Sequence, residues 1–334
     1  MSDLQKRAWA QAPAIESPVF ILAPPRSFST VTTALMGGHR DIYAFPEMLT
    51  FSSPTVGDLL AGVGCICRRP PEIHPSDCGV LRARLSGPYR AIAQLHEGSQ
   101  QPDAIKRAQA WLTRRSGWRT EELMDHVLEQ VAPFVAVENS PDTVLAHDNL
   151  SRCMQKYPKA RYIHITRHPV TAQRSIERHV GLLNPKISDV DRTVRAASVW
   201  YLAHSRIVRS LRPLPPDRWM RISGEDLLAD PKAWLARILH WLKLPADPDV
   251  LGKMLCTERW VFAGTGEEGN LFGGDYGFMR SPKFRPKLEV TDGLIDPNGV
   301  LLAEMRELMG QLAHGLGYSD VSWRQDSRRE DRSA

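Results

Sequence analysis

The chain has 334 residues, with 43 Lys and Arg against 38 Asp and Glu, for a formal net charge of +5. Its 42% hydrophobic and 24% charged residues exclude a collagen-like, low-complexity or wholly disordered chain. The length suits one large α/β domain or two of about 150 residues, with a core that needs no covalent staple.

In chain order, residues 1–16 read as a polar lead-in with no apolar signal core. Val19 to Ala23 is a short apolar run bounded by Pro24 and Pro25 and reads as a buried strand, followed by a helix over Ser29 to Met36. The segment 52–120 is rich in Gly, Pro and Arg, lacks a clear strand and is expected to cap the sheet edge. Its densest basic stretch, Lys106 to Arg119, reads as a solvated helix face. Glu121 to Val131 has helical spacing and leads into a second strand, Phe134 to Val137. A third strand, Tyr162 to Thr166, is followed at once by a helix from Val170 to His179. Further helices are expected over Thr193 to Leu211 and Pro231 to Leu242, the latter from the spacing of Trp234, Leu235, Ile238 and Leu242. Residues 323–334, with alternating charges, read as a solvated tail.

Short buried strands alternating with helices predict an α/β fold with a parallel sheet covered on both faces. Residues 17–322 are expected to form a single domain. The longest apolar runs are far shorter than the roughly 20 residues that span a bilayer. Five cysteines are too few and odd in number for a disulfide framework, and Cys65 and Cys67 have no partners at a zinc spacing. A reducing cytoplasm is the expected location. The pI of about 9.0 suits an anionic ligand, but acidic residues are interspersed too evenly for a nucleic-acid footprint.

Chemistry concentrates in two turns. Pro24-Pro25-Arg26-Ser27-Phe28-Ser29-Thr30 links the first strand to its helix. Such a turn presents unpaired backbone N–H groups and the positive end of a helix dipole, which suit a phosphate-like anion. Arg26 adds charge, and Ser27, Ser29 and Thr30 add hydroxyls. The same segment also reads as an ordinary turn with Ser29 as helix cap. It lacks the lysine and glycines of the nucleotide-splitting loop Gly-x-x-x-x-Gly-Lys-Ser/Thr. In the second turn Arg167 stands at the carboxyl end of the third strand, where ligands of open α/β sheets bind, and Ser175 follows two helical turns later. Guanidinium and hydroxyl together suit a terminal phosphate.

In order and spacing these motifs resemble the sulfotransferases that use 3′-phosphoadenosine 5′-phosphosulfate (PAPS). The likeness takes in Glu138-Asn139-Ser140-Pro141, the lead-in Tyr157 to His164, and Glu225-Asp226-Leu227, and covers roughly residues 17–320. It implies a P-loop-like parallel α/β fold and sulfuryl transfer from PAPS to a hydroxyl acceptor, leaving 3′-phosphoadenosine 5′-phosphate (PAP), with no metal required. Arg26, Ser27, Phe28, Ser29 and Thr30 are then expected at the 5′-phosphosulfate, and Arg167 and Ser175 at the 3′-phosphate. Phe28 departs from the family's loop glycine, and Asn139 from its frequent lysine.

Glu47 is the expected general base, with His39 competing for the role; His168 and His179 are expected to pack or meet solvent. Apolar neighbours would raise the Glu47 pKa toward neutrality. The glycine-rich, basic stretch from Gly273 to Arg285, within a candidate lid over 264–286, reads either as a lid offering Arg280, Lys283 or Arg285 to the donor's 3′-phosphate or as a solvated loop. Trp200 and Tyr201 read as core. The acceptor is a small molecule, lipid, carbohydrate or carrier-bound hydroxyl, and no nucleic-acid partner is expected. A P-loop-like ATP-dependent kinase and a non-catalytic PAP- or PAPS-binding protein are the alternatives.

Overall fold

The computed structural model describes residues 17–62, 79–286, 294–296, 299–319 and 322–323. The predicted lead-in over 1–16 and Cys65, Cys67 and Cys78 lie outside these residues, as does the predicted tail beyond Trp323.

Five parallel strands form the central sheet: β1 (Val19–Leu22), β2 (Ile42–Ala44), β3 (Val135–Glu138), β4 (Arg161–Thr166) and β5 (Trp219–Ser223). Their order is β2-β3-β1-β4-β5. Registers run Val19 to Val137 on one side of β1 and Val19 to Arg161 on the other. The buried strand, parallel with helical crossovers, was legible in β1, β3 and β4. β2 and β5 were not anticipated. β2 has three residues, and in β5 only Ile222 is fully buried, as an edge strand allows.

The helices are α1 (Ser29–Met36), α2 (Val56–Ala61), α3 (Gly79–Glu97), α4 (Pro102–Thr113), α5 (Thr120–Val131), α6 (Asp142–Leu145) and α7 (His147–Lys156). They continue with α8 (Pro169–Leu183), α9 (Asp189–Leu211), α10 (Gly224–Ala229), α11 (Pro231–Leu242), α12 (Pro248–Met254), α13 (Tyr276–Arg280) and α14 (Ala303–Leu316). α1 and α11 have the predicted bounds, whereas α8 and α9 extend beyond them. A two-stranded ribbon pairs β6 (Leu294–Ile295) with β7 (Ser322–Trp323), so the ordered fold reaches one residue into the predicted tail.

One large cluster of buried apolar side chains, including Phe20, Ile21, Phe45, Ile163 and Ile238, surrounds the sheet. A second cluster joins Val170 and Trp200 to Met309, Ala313 and Leu316, fastening α14 behind the helices that follow β4. Trp200 is fully buried and Tyr201 packs on this second cluster, as their mid-helix positions suggested.

The described part of 52–120 is helical and has no strand, only an isolated antiparallel bridge from Thr55 to Arg119. Lys106, Arg107, Arg114 and Arg119 of the basic stretch are exposed, while Arg115 stacks on Trp111 at 3.7 Å. The chain moves from β1 to one edge of the sheet, returns, and then leaves β1 for the other side. Strand order therefore reverses at β1, and the crevice at the carboxyl ends of β1 and β4 is where an open α/β sheet binds its ligand.

Candidate active site

The turn after β1 is tightly wound. Arg26 and Phe28 both adopt positive φ, 69° and 64°. Phe28, not Ser29, is the residue capping α1, and its side chain makes no capping hydrogen bond. A side chain at positive φ is strained, and glycine would meet this conformation without that cost. Contacts from beyond the turn hold Phe28 in place. The Arg167 guanidinium lies 4.5 Å from its ring centroid. Gly224 lies so close that a Cβ there would fall 2.1 Å from the ring. The departure from the family's glycine is thus met by a glycine elsewhere, at the start of α10.

The two predicted anion turns meet. Arg167 donates from Nη1 to the Arg26 carbonyl at 2.6 Å and from Nε to Thr171 Oγ1 at 3.2 Å. Arg26 in turn donates from Nε to Ser175 Oγ at 3.2 Å. Burial first, and then Arg167 and Arg178, hold the Arg26 guanidinium below its usual pKa, opposed by Glu47. Ser27, Ser29 and Thr30 are buried, and Ser27 Oγ has no hydrogen-bond partner among the described residues. The Asn139 amide at the end of β3 is likewise buried with neither polar atom paired. Buried unpaired polar groups of this kind are uncommon.

Glu47 follows β2 on a turn pinned along its backbone. Its N–H donates to the Gly273 carbonyl at 2.9 Å, Met48 N–H to the Glu138 carboxylate at 3.1 Å, and Leu49 N–H to Ser140 Oγ at 2.7 Å. Gly87 on α3 approaches the Glu47 carbonyl so closely that a Cβ would sit 1.9 Å from its oxygen. Glu47 is half-buried, and its pKa is pushed up to about 8, first by burial and then by Asp142; Glu138 adds to the rise, while Arg84 and Arg26 oppose it. Arg84 is itself paired with Asp142 at 2.5 Å.

His39, the competing base, is committed elsewhere. Its Nδ1 accepts from Asp41 N–H at 3.0 Å, so Nε2 carries the proton and donates to the Pro245 carbonyl at 3.0 Å. Burial lowers its pKa. His168 is buried and accepts from Val170 N–H at the start of α8. His179, whose ring is tilted against Tyr276 with centroids 5.8 Å apart, has its pKa lowered to about 4 by burial and then by Arg26.

The late loop lies against both turns. Arg90 of α3 is buried, and its Nη1 donates to the carbonyls of Gly264 at 3.0 Å and Phe272 at 2.7 Å. The Asp275 carboxylate is in contact with Arg26 Nη1, and Asp275 N–H meets Thr30 Oγ1 at 2.9 Å. Arg280 and Lys283 are exposed, and the Arg280 guanidinium lies over the Phe272 ring, 5.8 Å from its centroid. Asp275, Asp142, Arg84 and Gly224 escaped the sequence reading. Glycines flanking an aspartate hinted at Asp275, but nothing local linked Asp142 or Arg84 to Glu47.

The fold and this crevice define a parallel α/β protein with a tightly wound, arginine-bearing turn after its first strand. The sulfotransferase family profile matches residues 18–248, and the chain belongs to that family. Among solved structures it is similar to the sulfotransferase domain of the olefin synthase of Synechococcus PCC 7002. That match has 22% identity and a TM-score of 0.66, covering 91% of this chain and 98% of that one. It is also similar to the sulfotransferase domain of the curacin biosynthetic pathway, at 20% identity and a TM-score of 0.65, with 89% and 97% covered. A Mycobacterium avium sulfotransferase matches at 15% identity and a TM-score of 0.51, with 96% and 81% covered. These likenesses establish the P-loop-like sulfotransferase fold. No curated protein matches the chain. No helix of the described residues is long and apolar enough to cross a membrane.

Proposed function

We propose that the protein transfers a sulfuryl group from PAPS to a hydroxyl acceptor, with Glu47 as general base. The observation that carries this reading is the union of the two arginine turns: Arg167 bonds the Arg26 backbone while Arg26 bonds Ser175. One continuous cationic cradle thus spans the carboxyl ends of β1 and β4, and Arg26 also interacts electrostatically with Glu47.

Arg167 and Ser175 would hold the donor's 3′-phosphate, and Arg26 with residues Ser27 to Thr30 its 5′ end. Arg280 and Lys283 would contribute from the loop's outer side through their charge. The donor supplies an activated sulfur bonded to the 5′-phosphate oxygen. Glu47 accepts the acceptor's hydroxyl proton as that oxygen bonds to sulfur. Arg26 stabilises the charge that develops on the departing bridging oxygen, where a fixed donor is most effective. No step assigned to these residues calls for a metal ion.

The acceptor is a small-molecule, lipid, carbohydrate or carrier-bound hydroxyl. Transfer of labelled sulfate from PAPS, screened across these four classes, tests the assignment. Transfer to one class that is lost in Glu47→Gln is expected. Failure to bind PAP by calorimetry, together with transfer of phosphate from ATP, would replace the reading with a kinase. Tight PAP binding with no transfer to any class would leave a binding protein.

A further inference from the structure

We infer that Asp275 is an internal anion that competes with the nucleotide's 5′ end for Arg26 and thereby promotes release of the spent product. The inference rests on the donor reading above and extends it to a residue outside the two anion turns.

Three consecutive residues of the late loop form a strap across the crevice. Gly273 accepts the Glu47 N–H. Gly274 lies against Thr30, where a Cβ would fall 2.7 Å from the threonine methyl. Asp275 meets Thr30 Oγ1 through its backbone and Arg26 through its carboxylate. The carboxylate is also aimed by its own helix, because Oδ1 accepts Phe278 N–H at 2.7 Å at the start of α13 while Oδ2 faces Arg26. The root of the strap is fixed where Arg90 grips the Gly264 and Phe272 carbonyls. At its tip, the Arg26 and Asp275 side chains are 26% and 27% exposed, so water reaches the pair and the partners can exchange.

The charges around Arg26 make this contact consequential. Arg167, Arg178 and Arg26 itself attract an anion, whereas the Asp275 carboxylate opposes one. A carboxylate and a phosphate cannot share one guanidinium without mutual repulsion. Before transfer, the 5′ phosphate is joined to the sulfuryl group as a mixed anhydride, and the negative charge is shared between the two groups. After transfer it is a free monoester carrying a charge of about −1.5 to −2 near neutral pH. Asp275 faces Arg26, which holds the phosphate, and the charge is concentrated on that phosphate only after transfer, so the competition weighs more on the product than on the donor.

Asp275→Asn tests the inference, since asparagine retains the helix-capping oxygen and removes only the charge. Calorimetry with PAP should show affinity raised by roughly 5- to 150-fold, the usual range for coupling between sites. Turnover at saturating donor should fall as product release slows. A purely structural role for Asp275 predicts weaker PAP binding, and unchanged or weaker binding overturns the proposal. A second measurement needs no nucleotide. Hydrogen exchange at residues 273–278 of the ligand-free protein should be faster in Asp275→Asn than in wild type, and equal exchange overturns the proposal. If wild type binds no PAP, the donor reading fails by itself, and the exchange comparison still decides whether Asp275 holds the strap to Arg26.

Discussion

The crevice has two halves that the same sheet edge supports in opposite electrostatic senses. On the side of β1 and β4, burial and then the nearby Arg167 depress the pKa of Arg26, and a hydrogen bond joins turns 141 residues apart. On the side of β2 and β3, Glu47, Glu138 and Asp142 are gathered around one turn, and both Glu47 and Glu138 have raised pKa values. In the proposed reaction, a cationic cradle beside an acidic cluster would separate the grip on an anion from the holding of a proton. The cradle is built from residues adjacent in sequence to strand ends. The acidic half is assembled from β2, β3, α3 and the late loop.

The sharpest way to break this division is to remove the cradle's shared residue. Arg167→Ala loses the bond to the Arg26 carbonyl, the bond to Thr171 and the cover over Phe28 together. PAP affinity by calorimetry should fall by about 100-fold or more, since charge-assisted bonds of this kind contribute about 1.5–3 kcal/mol each. The corresponding change on the acidic side is Glu47→Gln, which should cut turnover by about 100-fold or more while leaving PAP affinity near that of wild type. Loss of affinity in place of turnover would merge the two halves into one.

A pH profile sharpens the same contrast. With its pKa near 8, Glu47 is mostly protonated at neutral pH, so turnover should climb through pH 7 and level off above about 8. Asp142→Asn removes a charge that raises this pKa, and the rising limb should move to lower pH. The sign for stability is opposite to that for activity. A carboxyl whose folded pKa exceeds its unfolded one favours the fold fully below about 4.5, and that contribution is lost as pH rises through about 8. Denaturant midpoints for Glu47→Gln should therefore gain on wild type as pH rises.

Gly224→Ala tests the brace behind the cradle. The added methyl meets the Phe28 ring and should destabilise the fold by about 1–3 kcal/mol, with a parallel loss of PAP affinity. An unchanged melting temperature would mean that the loop holds Phe28 without help. The smallest effects are expected at the loop's outer cations. Arg280→Ala and Lys283→Ala should weaken PAP binding roughly two- to fivefold, an effect that fades at high salt, as for exposed charges.

How much was legible follows the reach of the interactions. The strand–turn–helix units at β1 and β4 could be read because their apolar runs are short, buried and bounded by breakers, and because Arg167 and Ser175 share one helical stretch. α3 could not, since Gly87 and Pro88 interrupt its pattern in a stretch already crowded with arginine. The tight contact of Gly87 with Glu47 gives the physical reason a glycine stands there. His39 and Glu47 were rival bases in sequence, and only the bonds to Asp41 and Pro245 showed both imidazole nitrogens to be occupied.

The amino-acid sequence by itself determined where the two arginine turns lie and which charged and hydroxyl side chains they carry, because a strand end, a turn and a helix start are set by neighbours a few residues apart. The tertiary structure decided which charges face one another. It set the protonation of Glu47, the strained fit of Phe28 against Gly224, and the hold of Asp275 on Arg26. Those outcomes depend on burial and on groups brought together from distant parts of the chain, where low local polarity makes each nearby charge count.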